Sequence, residues 1–297
     1  MRPPLSVIAA MPELPEVQTV VTTLAPRVLR RRIRKVVHVR GDMVTPSGFD
    51  LTKNLTGRTI TGLARRGKRI VFSMDDANTF FIHLGMTGRL MVEPNDTPLA
   101  IHTHLILDLG PDARGDKQQL RFRDPRRFGE IRWLGCESCD EKMGPEPLAM
   151  RTSELAAKLA RTTRAIKNAL MDQSVVAGLG NIYVDESLFD ARIHPLARAD
   201  KLTKEQVARL TQSIKRVLKR AITHRGSTLR DYADADGNAG AFQRLHRVYD
   251  RKGKPCRRCK TPIERIVVGG RSTHFCPNCQ SLRRGGGVAA AARGARR

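Results

Sequence analysis

Pro12 is the residue with the most reactive chemical option, flanked by Met11 and followed by the carboxylates Glu13 and Glu16. A proline at a chain terminus is a secondary amine. Beside a carboxylate, such an amine can attack an electrophilic carbon and form an iminium intermediate. Joined to Met11, the same nitrogen is a tertiary amide and no nucleophile. The stretch Met11-Pro12-Glu13-Leu14-Pro15-Glu16 also reads structurally. Its prolines fix φ near −65° and remove two donors. Pro15 suits the first turn of a helix, and the two acids suit that helix's positive end.

Six cysteines fall into three C-x-x-C pairs. Sixteen residues separate Cys256-Arg257-Arg258-Cys259 from Cys276-Pro277-Asn278-Cys279, a spacing that predicts four-cysteine tetrahedral zinc closing a β-hairpin. Four thiolates leave no open position, so the metal is structural. Gly269-Gly270 would form the hairpin tip and present Arg271 on a rigid support, suited to a phosphate or groove contact. Cys136 and Cys139 have no second pair and predict an exposed loop with free thiols.

Three further stretches could meet a nucleic acid. Gly178-Leu179-Gly180-Asn181 before a helix offers backbone N–H groups to a phosphate, without the strand and acid of a dinucleotide site. Asp124-Pro125-Arg126-Arg127-Phe128-Gly129 puts arginines and an aromatic in one turn, either as an Asp–Arg pair or as a wedge for a base stack. Arg65-Arg66-Gly67-Lys68-Arg69 is a basic turn that reads as a solvated face. His102 and His104 alternate along a strand and lack a third ligand, which disfavours a metal pair.

Composition agrees with an anionic partner. The 297 residues carry 54 Lys and Arg against 29 Asp and Glu, a formal charge of +25 spread along the chain. Nucleic acid is the first partner such a surface suggests; an anionic membrane or a ribosomal role is the competitor. No run of about 18 apolar residues exists. The apolar patch at 5–10 is shorter than a secretory core of about 7–15 residues, so no export is expected. A cytoplasmic monomer follows as the expectation.

These residues need positioning elements. Val17, Val20, Val21 and Leu24 predict a helix over 16–32, kinked or ended at Pro26. Short Val-, Ile- and Phe-rich runs at 33–39, 58–63, 69–74, 79–84, 89–92, 104–109 and 129–134 predict a β-sandwich or barrel. Helices follow: 154–160 capped by Ser153, 164–171 capped by Thr163, 182–191, and a long one from the cap Thr203 to about 224. Residues 225–253 read as loop, and 283–297, rich in Gly, Ala and Arg, as a disordered basic tail. The class is α+β, with units at 11–149, 150–248 and 249–280, an extension at 1–10 and a tail at 281–297.

The motif set Met11 to Val17, His83-Leu84-Gly85-Met86-Thr87-Gly88, Asp124 to Gly129, Gly144-Pro145-Glu146-Pro147-Leu148, Gly178 to Tyr183, Glu186-Ser187-Leu188-Phe189 and the cysteine unit resembles formamidopyrimidine-DNA glycosylase, in order and spacing over 11–280. Leu14 favours this branch over endonuclease VIII, where Gly is usual. The resemblance implies an N-terminal β-sandwich domain, a helix-two-turn-helix domain and a C-terminal four-cysteine zinc finger around a cleft for duplex DNA bearing an oxidised purine or abasic site. It implies that Pro12 attacks the sugar C1′, that Glu13 protonates the opening ring, and that Lys68 assists elimination and contacts phosphate. Arg271 and Asn181 would hold phosphates, and His102 and Arg126 would contact DNA. Met86, Arg126 and Phe128 would fill the space the base vacates, with Glu16 a buried acid near the sugar. One structural zinc is the only cofactor implied.

The sequence departs from the family pattern in two places. Residues 1–10 precede the motif, so the expectation is translation from Met11 with loss of that Met, trimming, or absence of lyase activity; a start at Met11 is preferred. Gly240-Ala241-Phe242 has Ala where family members often carry Tyr, in a loop that the resemblance places over the flipped base. The alternatives are an endonuclease VIII-like enzyme for oxidised pyrimidines, a non-catalytic DNA-binding relative, and a zinc-ribbon RNA- or ribosome-binding protein.

Overall fold

The computed structural model describes residues 11–112, 114–137, 142–230 and 232–282. The expectations for 1–10, for Cys139 and for the tail from 283 fall outside these.

The first helix, α1, runs Leu14–Val28 with Val17, Val20, Val21 and Leu24 buried. It begins before the predicted start because Glu16 accepts a hydrogen bond from the Glu13 N–H at 2.9 Å, closing the first turn. Pro26 lies inside the last turn, and the helix ends two residues later, as a proline without a donor requires.

Nine strands follow: β1 Lys35–Val39, β2 Val44–Thr45, β3 Ile60–Arg66, β4 Arg69–Met74, β5 Thr79–His83, β6 Arg89–Pro94, β7 Thr103–Pro111, β8 Lys117–Arg123 and β9 Glu130–Gly135, with a short helix α2 at Leu51–Leu55. They form sheets of order β1-β7-β8-β6 and β2-β9-β5-β4-β3. Leu90, Leu105, Leu107, Leu120 and Phe122 of one and Ile70, Phe72, Phe80, Ile82 and Ile131 of the other share one core with α1. Seven of these strands match the sequence pattern. β8 escaped it because Lys117-Gln118-Gln119 and the two arginines mask an alternation in which Leu120 and Phe122 are both fully buried.

The second half is helical: α3 Thr152–Leu159, α4 Ile166–Met171, α5 Asn181–Ala191 and α6 Lys204–Thr223. Thr203 caps α6 as expected, in a reciprocal box with Gln206. The other two caps differ. Glu154 reaches back to the Arg151 N–H at 2.7 Å and starts α3 before Ser153. Ala165 is held in a bridge with Arg198, so α4 begins after it and not after Thr163. Then come β10 Glu264–Val268 and β11 Arg271–Phe275, an antiparallel pair turned by Gly269 and Gly270, both at positive φ. Two glycines in the left-handed region are what a tight hairpin of this hand needs. No helix among the described residues is long and apolar enough to cross a membrane.

The chain crosses between its cores. Leu14 lies in the helical core, while Tyr232 and Ala235 lie in the sandwich core. Residues 225–248 thus belong partly to the first half. The Tyr232 hydroxyl donates to the Glu16 carbonyl at 3.2 Å, and the Ala235 N–H to Thr23 Oγ1 at 3.2 Å.

The hairpin is tied to the helices by a fully buried ion pair. Lys167 Nζ donates to Asp185 Oδ1 at 2.6 Å, and Asp185 Oδ2 accepts from the His274 N–H at 2.8 Å. Breaking such a pair from one side strands a charge and costs about 3–5 kcal/mol. Lys167→Met should therefore lower the urea midpoint measured by far-UV circular dichroism, and adding Asp185→Asn should recover part of the loss. An unchanged midpoint in Lys167→Met would show that the pair does not hold the hairpin.

Candidate active site between the sandwich and the helical unit

Two carboxylates from the start of α1 are buried where the two halves meet. Glu13 does not cap its own helix. Its carboxylate accepts from the N–H groups of Gly180 at 2.8 Å, Ile182 at 2.9 Å and Tyr183 at 3.3 Å. It therefore occupies the positive end of α5, and of the N–H groups that the sequence offered to a phosphate, that of Gly180 is taken by Glu13 and that of Gly178 by Gln173 Oε1 at 2.9 Å. Residue 180 must be glycine, since a β-carbon there would stand 2.4 Å from Glu13 Cδ. Glu16 accepts from Tyr183 Oη at 2.5 Å and from the Ser227 N–H at 2.7 Å, besides Glu13 N–H.

Burial raises both acids. For Glu13 the desolvation outweighs the Lys68 charge and the helix N–H groups that oppose it. For Glu16 burial comes first and the Glu13 charge adds to it, bringing it up to about 7.

Glu13 opens onto a cavity of about 430 Å³ whose lining includes Lys68, His83, Met86, Asn181, Tyr249 and Arg271. Lys68 is half-buried, and burial lowers its pKa against the pull of Glu13 and Glu16. Its turn is not a solvated face. Glu146 clasps it, accepting from Arg65 at 2.7 Å, Arg66 at 3.1 Å and the Gly67 N–H at 2.7 Å. Asn181 is fixed between the halves of the helical unit, accepting from Lys167 Nζ at 2.6 Å and donating to the Ser272 carbonyl at 3.0 Å. Arg271, at the hairpin tip beside Ser272, is exposed.

Met11 lines both this cavity and a small space of about 10 Å³ that Pro12 and Glu16 also line; Pro12 is not in the lining of the cavity itself.

A second group gathers on the sandwich. Asp124 organises its turn, accepting from Thr87 Oγ1 at 2.5 Å and the Gly129 N–H at 2.7 Å. The Arg126 guanidinium stacks over the Phe128 ring at 4.7 Å and reaches Met86 Sδ at 3.8 Å. Arginine stacked on a ring this way holds Phe128 extended, 55 % exposed. The Asp–Arg pairing considered from sequence does not form; Asp124 pairs with backbone and a hydroxyl. His102, exposed at φ 65°, joins this turn only through its carbonyl, which accepts from the Asp124 N–H at 3.0 Å. His104 is buried against the Asp124 carbonyl.

Residues 11–131 match the N-terminal domain of formamidopyrimidine-DNA glycosylase, residues 143–233 its H2TH domain, and residues 253–282 the zinc finger found in FPG and IleRS. The chain belongs to the formamidopyrimidine-DNA glycosylase family. A formamidopyrimidine-DNA glycosylase of Chloroflexus aurantiacus is 45 % identical over 276 residues, 91 % of this chain and 98 % of that one. The crystal structure of MutM (Fpg) from Thermus thermophilus has a TM-score of 0.80 at 39 % identity, covering 92 % of this chain and all of that one. The Lactococcus lactis Fpg in complex with abasic-site DNA has a TM-score of 0.82 at 36 % identity, covering 91 % and 100 %.

The family's zinc finger is present in geometry. The sulfurs of Cys256, Cys259, Cys276 and Cys279 all lie within 4.8 Å of one another. Tetrahedral zinc with Zn–S near 2.3 Å sets its ligands ~3.8 Å apart; Cys259–Cys276 at 3.4 Å and Cys256–Cys279 at 4.0 Å fit. The N–H groups of Arg258 and Cys279 point at sulfurs, at 3.4 Å each. Burial and the adjoining sulfurs push the Cys279 thiol up to about 12, so four thiolates would need a cation such as Zn²⁺ to coexist here. Cys136 is exposed and free, as expected.

Phe242, next to Ala241, is buried against Tyr183 and His246, and the described residues of 225–248 do not line the cavity. Sequence reading gave no role to Glu146, Tyr183 or His83. His83, in the cavity wall, is lowered to about 4 by burial and the Lys68 charge. A histidine kept neutral beside a lysine could have been sought where the His83 motif follows the basic turn.

Two expectations follow. An acid raised in the fold contributes stability that is full below its unfolded pKa and lost as pH rises through the folded one. For Glu16 that window is 4.5 to about 7, worth about 3 kcal/mol. Urea unfolding should show the native chain losing stability relative to Glu16→Gln between pH 4.5 and pH 8; parallel curves would refute the shift. Chelation should unfold the finger, seen as loss of its amide protection while the sandwich amides stay protected.

Proposed function

We propose that this chain is a bifunctional DNA glycosylase and abasic-site lyase of base excision repair, removing oxidised purines such as 8-oxoguanine and formamidopyrimidines from duplex DNA. The observation that carries the reading is the convergence of Glu13, Lys68, Asn181 and Arg271 on one cavity, with Pro12 adjoining it. Family membership supports the activity, and the Lactococcus lactis relatives hold abasic-site DNA and Fapy-dG DNA. An enzyme acting on a base must take it out of the stack; the cavity is of a size to receive one nucleotide, while Met86, Arg126 and Phe128 fill the gap left behind. Arg271, Asn181, His102 and Arg126 hold the backbone and the partner strand. The domains are 11–149, 150–248 and 249–280, and the enzyme works as a monomer in the cytoplasm, where the bacterial chromosome lies.

The chemistry follows from the acids and amines in place. The Pro12 nitrogen, once it is a terminal amine, attacks the sugar C1′; the glycosidic C1′–N bond breaks, and the base leaves with the proton that the amine gives up. The Glu13 carboxyl, raised by burial towards its protonated form, gives its proton to the ring oxygen as the C1′–O4′ bond breaks, leaving an iminium between protein and sugar. The iminium acidifies the C2′ proton. Lys68, whose pKa burial lowers, is placed to take it, and the 3′ phosphate is eliminated; a second elimination expels the 5′ phosphate, and water releases the sugar fragment. Glu16 stays buried and holds the Glu13 N–H in place.

Borohydride reduction on an abasic-site duplex should trap a covalent adduct with protein beginning at Pro12 and none with protein that retains residues before it. No adduct from the Pro12 form would defeat the proposal. In that form, Glu13→Gln should slow base excision by about 10²–10⁴-fold, the usual worth of a positioned acid.

A further inference from the structure

We propose that the sandwich face remote from the cleft binds the phosphate backbone of a second duplex DNA segment through Arg30, Arg31, Arg32 and Arg34. These four arginines, with Gly57 and Leu109, line a groove of about 610 Å³. It stands at the far end of two elements that begin at the site. α1, 15 residues long and so about 22 Å along its axis, has Glu13 just before its head and Arg30 just past its tail. β7 starts beside the Asp124 turn and ends at Pro111, by the groove, roughly 27 Å away. A duplex seated at the cavity therefore leaves this groove free.

Arg31 and Arg32 are held by backbone carbonyls, and Arg34 is packed on Gly110, without being neutralised. Arg31 donates to the carbonyls of Leu109 at 3.1 Å and Gly110 at 2.6 Å, and Arg32 to that of Gly57 at 2.9 Å. Arg34 lies over Gly110, at φ 69°, where a β-carbon would stand 2.5 Å from its Nε. A carbonyl fixes an arginine but cancels none of its charge. None of the four enters an ion pair among the described residues. The acids nearest Arg31 are Asp108 and Asp112. Asp108 accepts from the Gly110 N–H at 2.7 Å, and Asp112 from the N–H groups of Arg114 at 2.8 Å and Asp116 at 3.0 Å. Their carboxylates close turns while the arginines remain open to an anion.

The groove's chemistry selects phosphodiester over an acidic protein. Protein interfaces depend on buried aromatic and apolar anchors seated in pockets. Here the lining has no aromatic residue, and Leu109 is itself buried in the sandwich core. A row of fixed arginines without such an anchor suits sequence-independent phosphate contacts. The consequence is a protein that bridges two DNA segments, passing from one to the other without full release. The inference leans on the reading of the cleft only to place the first duplex.

The test uses the full chain, saturated with a donor-labelled duplex carrying a tetrahydrofuran abasic analogue, then titrated with an acceptor-labelled undamaged duplex. Energy transfer should appear, weaken as salt rises, and decline at least tenfold in apparent affinity in Arg30→Gln/Arg32→Gln/Arg34→Gln, with first-duplex affinity unchanged within about twofold. Should the triple variant melt early, Arg30→Gln alone, whose exposed side chain makes no hydrogen bond among the described residues, should weaken the second duplex about threefold. Absence of transfer, or transfer undiminished in the folded variant, overturns the proposal. Polyglutamate binding the groove as tightly as the duplex also overturns it, in favour of an acidic protein. Anisotropy of the first duplex reports the cleft separately, so a failure there falls on the cleft reading alone.

Discussion

The carboxylate of Glu13 at the amino end of α5 is the contact on which the rest of the site depends. It takes three backbone N–H groups that would otherwise lack partners, and it does so from a residue that precedes α1. One side chain therefore fixes the distance between the sandwich and the helical unit at the point where Pro12 stands. An uncompensated carboxylate buried here would be expensive. The helix end and the Lys68 charge offset that cost, and the residual strain appears as a raised pKa, which is the state a proton donor needs. Structural role and chemical role come from the same burial.

Around this contact the protein surrounds its acids with cations but keeps the cations apart. Glu146 draws Arg65 and Arg66 back so that Lys68 alone of its turn lies in the acids' field, and Asp185 holds Lys167 beneath Asn181. In a chain of charge +25, the few buried acids act as fixed points to which basic segments are tied. Arg271 at the hairpin tip and Arg126 in the Asp124 turn, both exposed and without an ion pair among the described residues, are among the arginines left to face phosphate.

Much of this could be read from residue types. The cysteine spacing, the glycine pair at the hairpin tip and the apolar stripes of α1 and α6 determine their elements locally, because turn geometry and helix periodicity act over a few residues. Arg126 and Phe128 were legible as an arginine and an aromatic in one turn, Met86 only through the resemblance; that they touch depends on how Asp124 folds its turn. What sequence could not disclose is long-range and polar. Gly178-Leu179-Gly180-Asn181 looks like an anion site, and it is one, but nothing nearby says that the anion is Glu13. β8 hid because its outward face is charged, and the caps at Arg151 and Ala165 moved because tertiary pairing outweighed the local preference for Ser or Thr.

The shared ownership of α1 has a bearing on how the protein is made. Glu13 finds its partners 167 or more residues later, and Glu16 meets Ser227 after 211. Closing loops that long costs only slowly more than closing short ones, so the fold tolerates it. On the ribosome, however, the amino-terminal helix emerges long before Gly180, Tyr183 or Tyr232 exist. A nascent chain can assemble its sheets but not its centre, and an incomplete translation product ends with Pro12 and its acids unplaced. The surroundings of Glu13 and Glu16 are thus completed only when the last third of the polypeptide, with Ser227 and Tyr232, has been made.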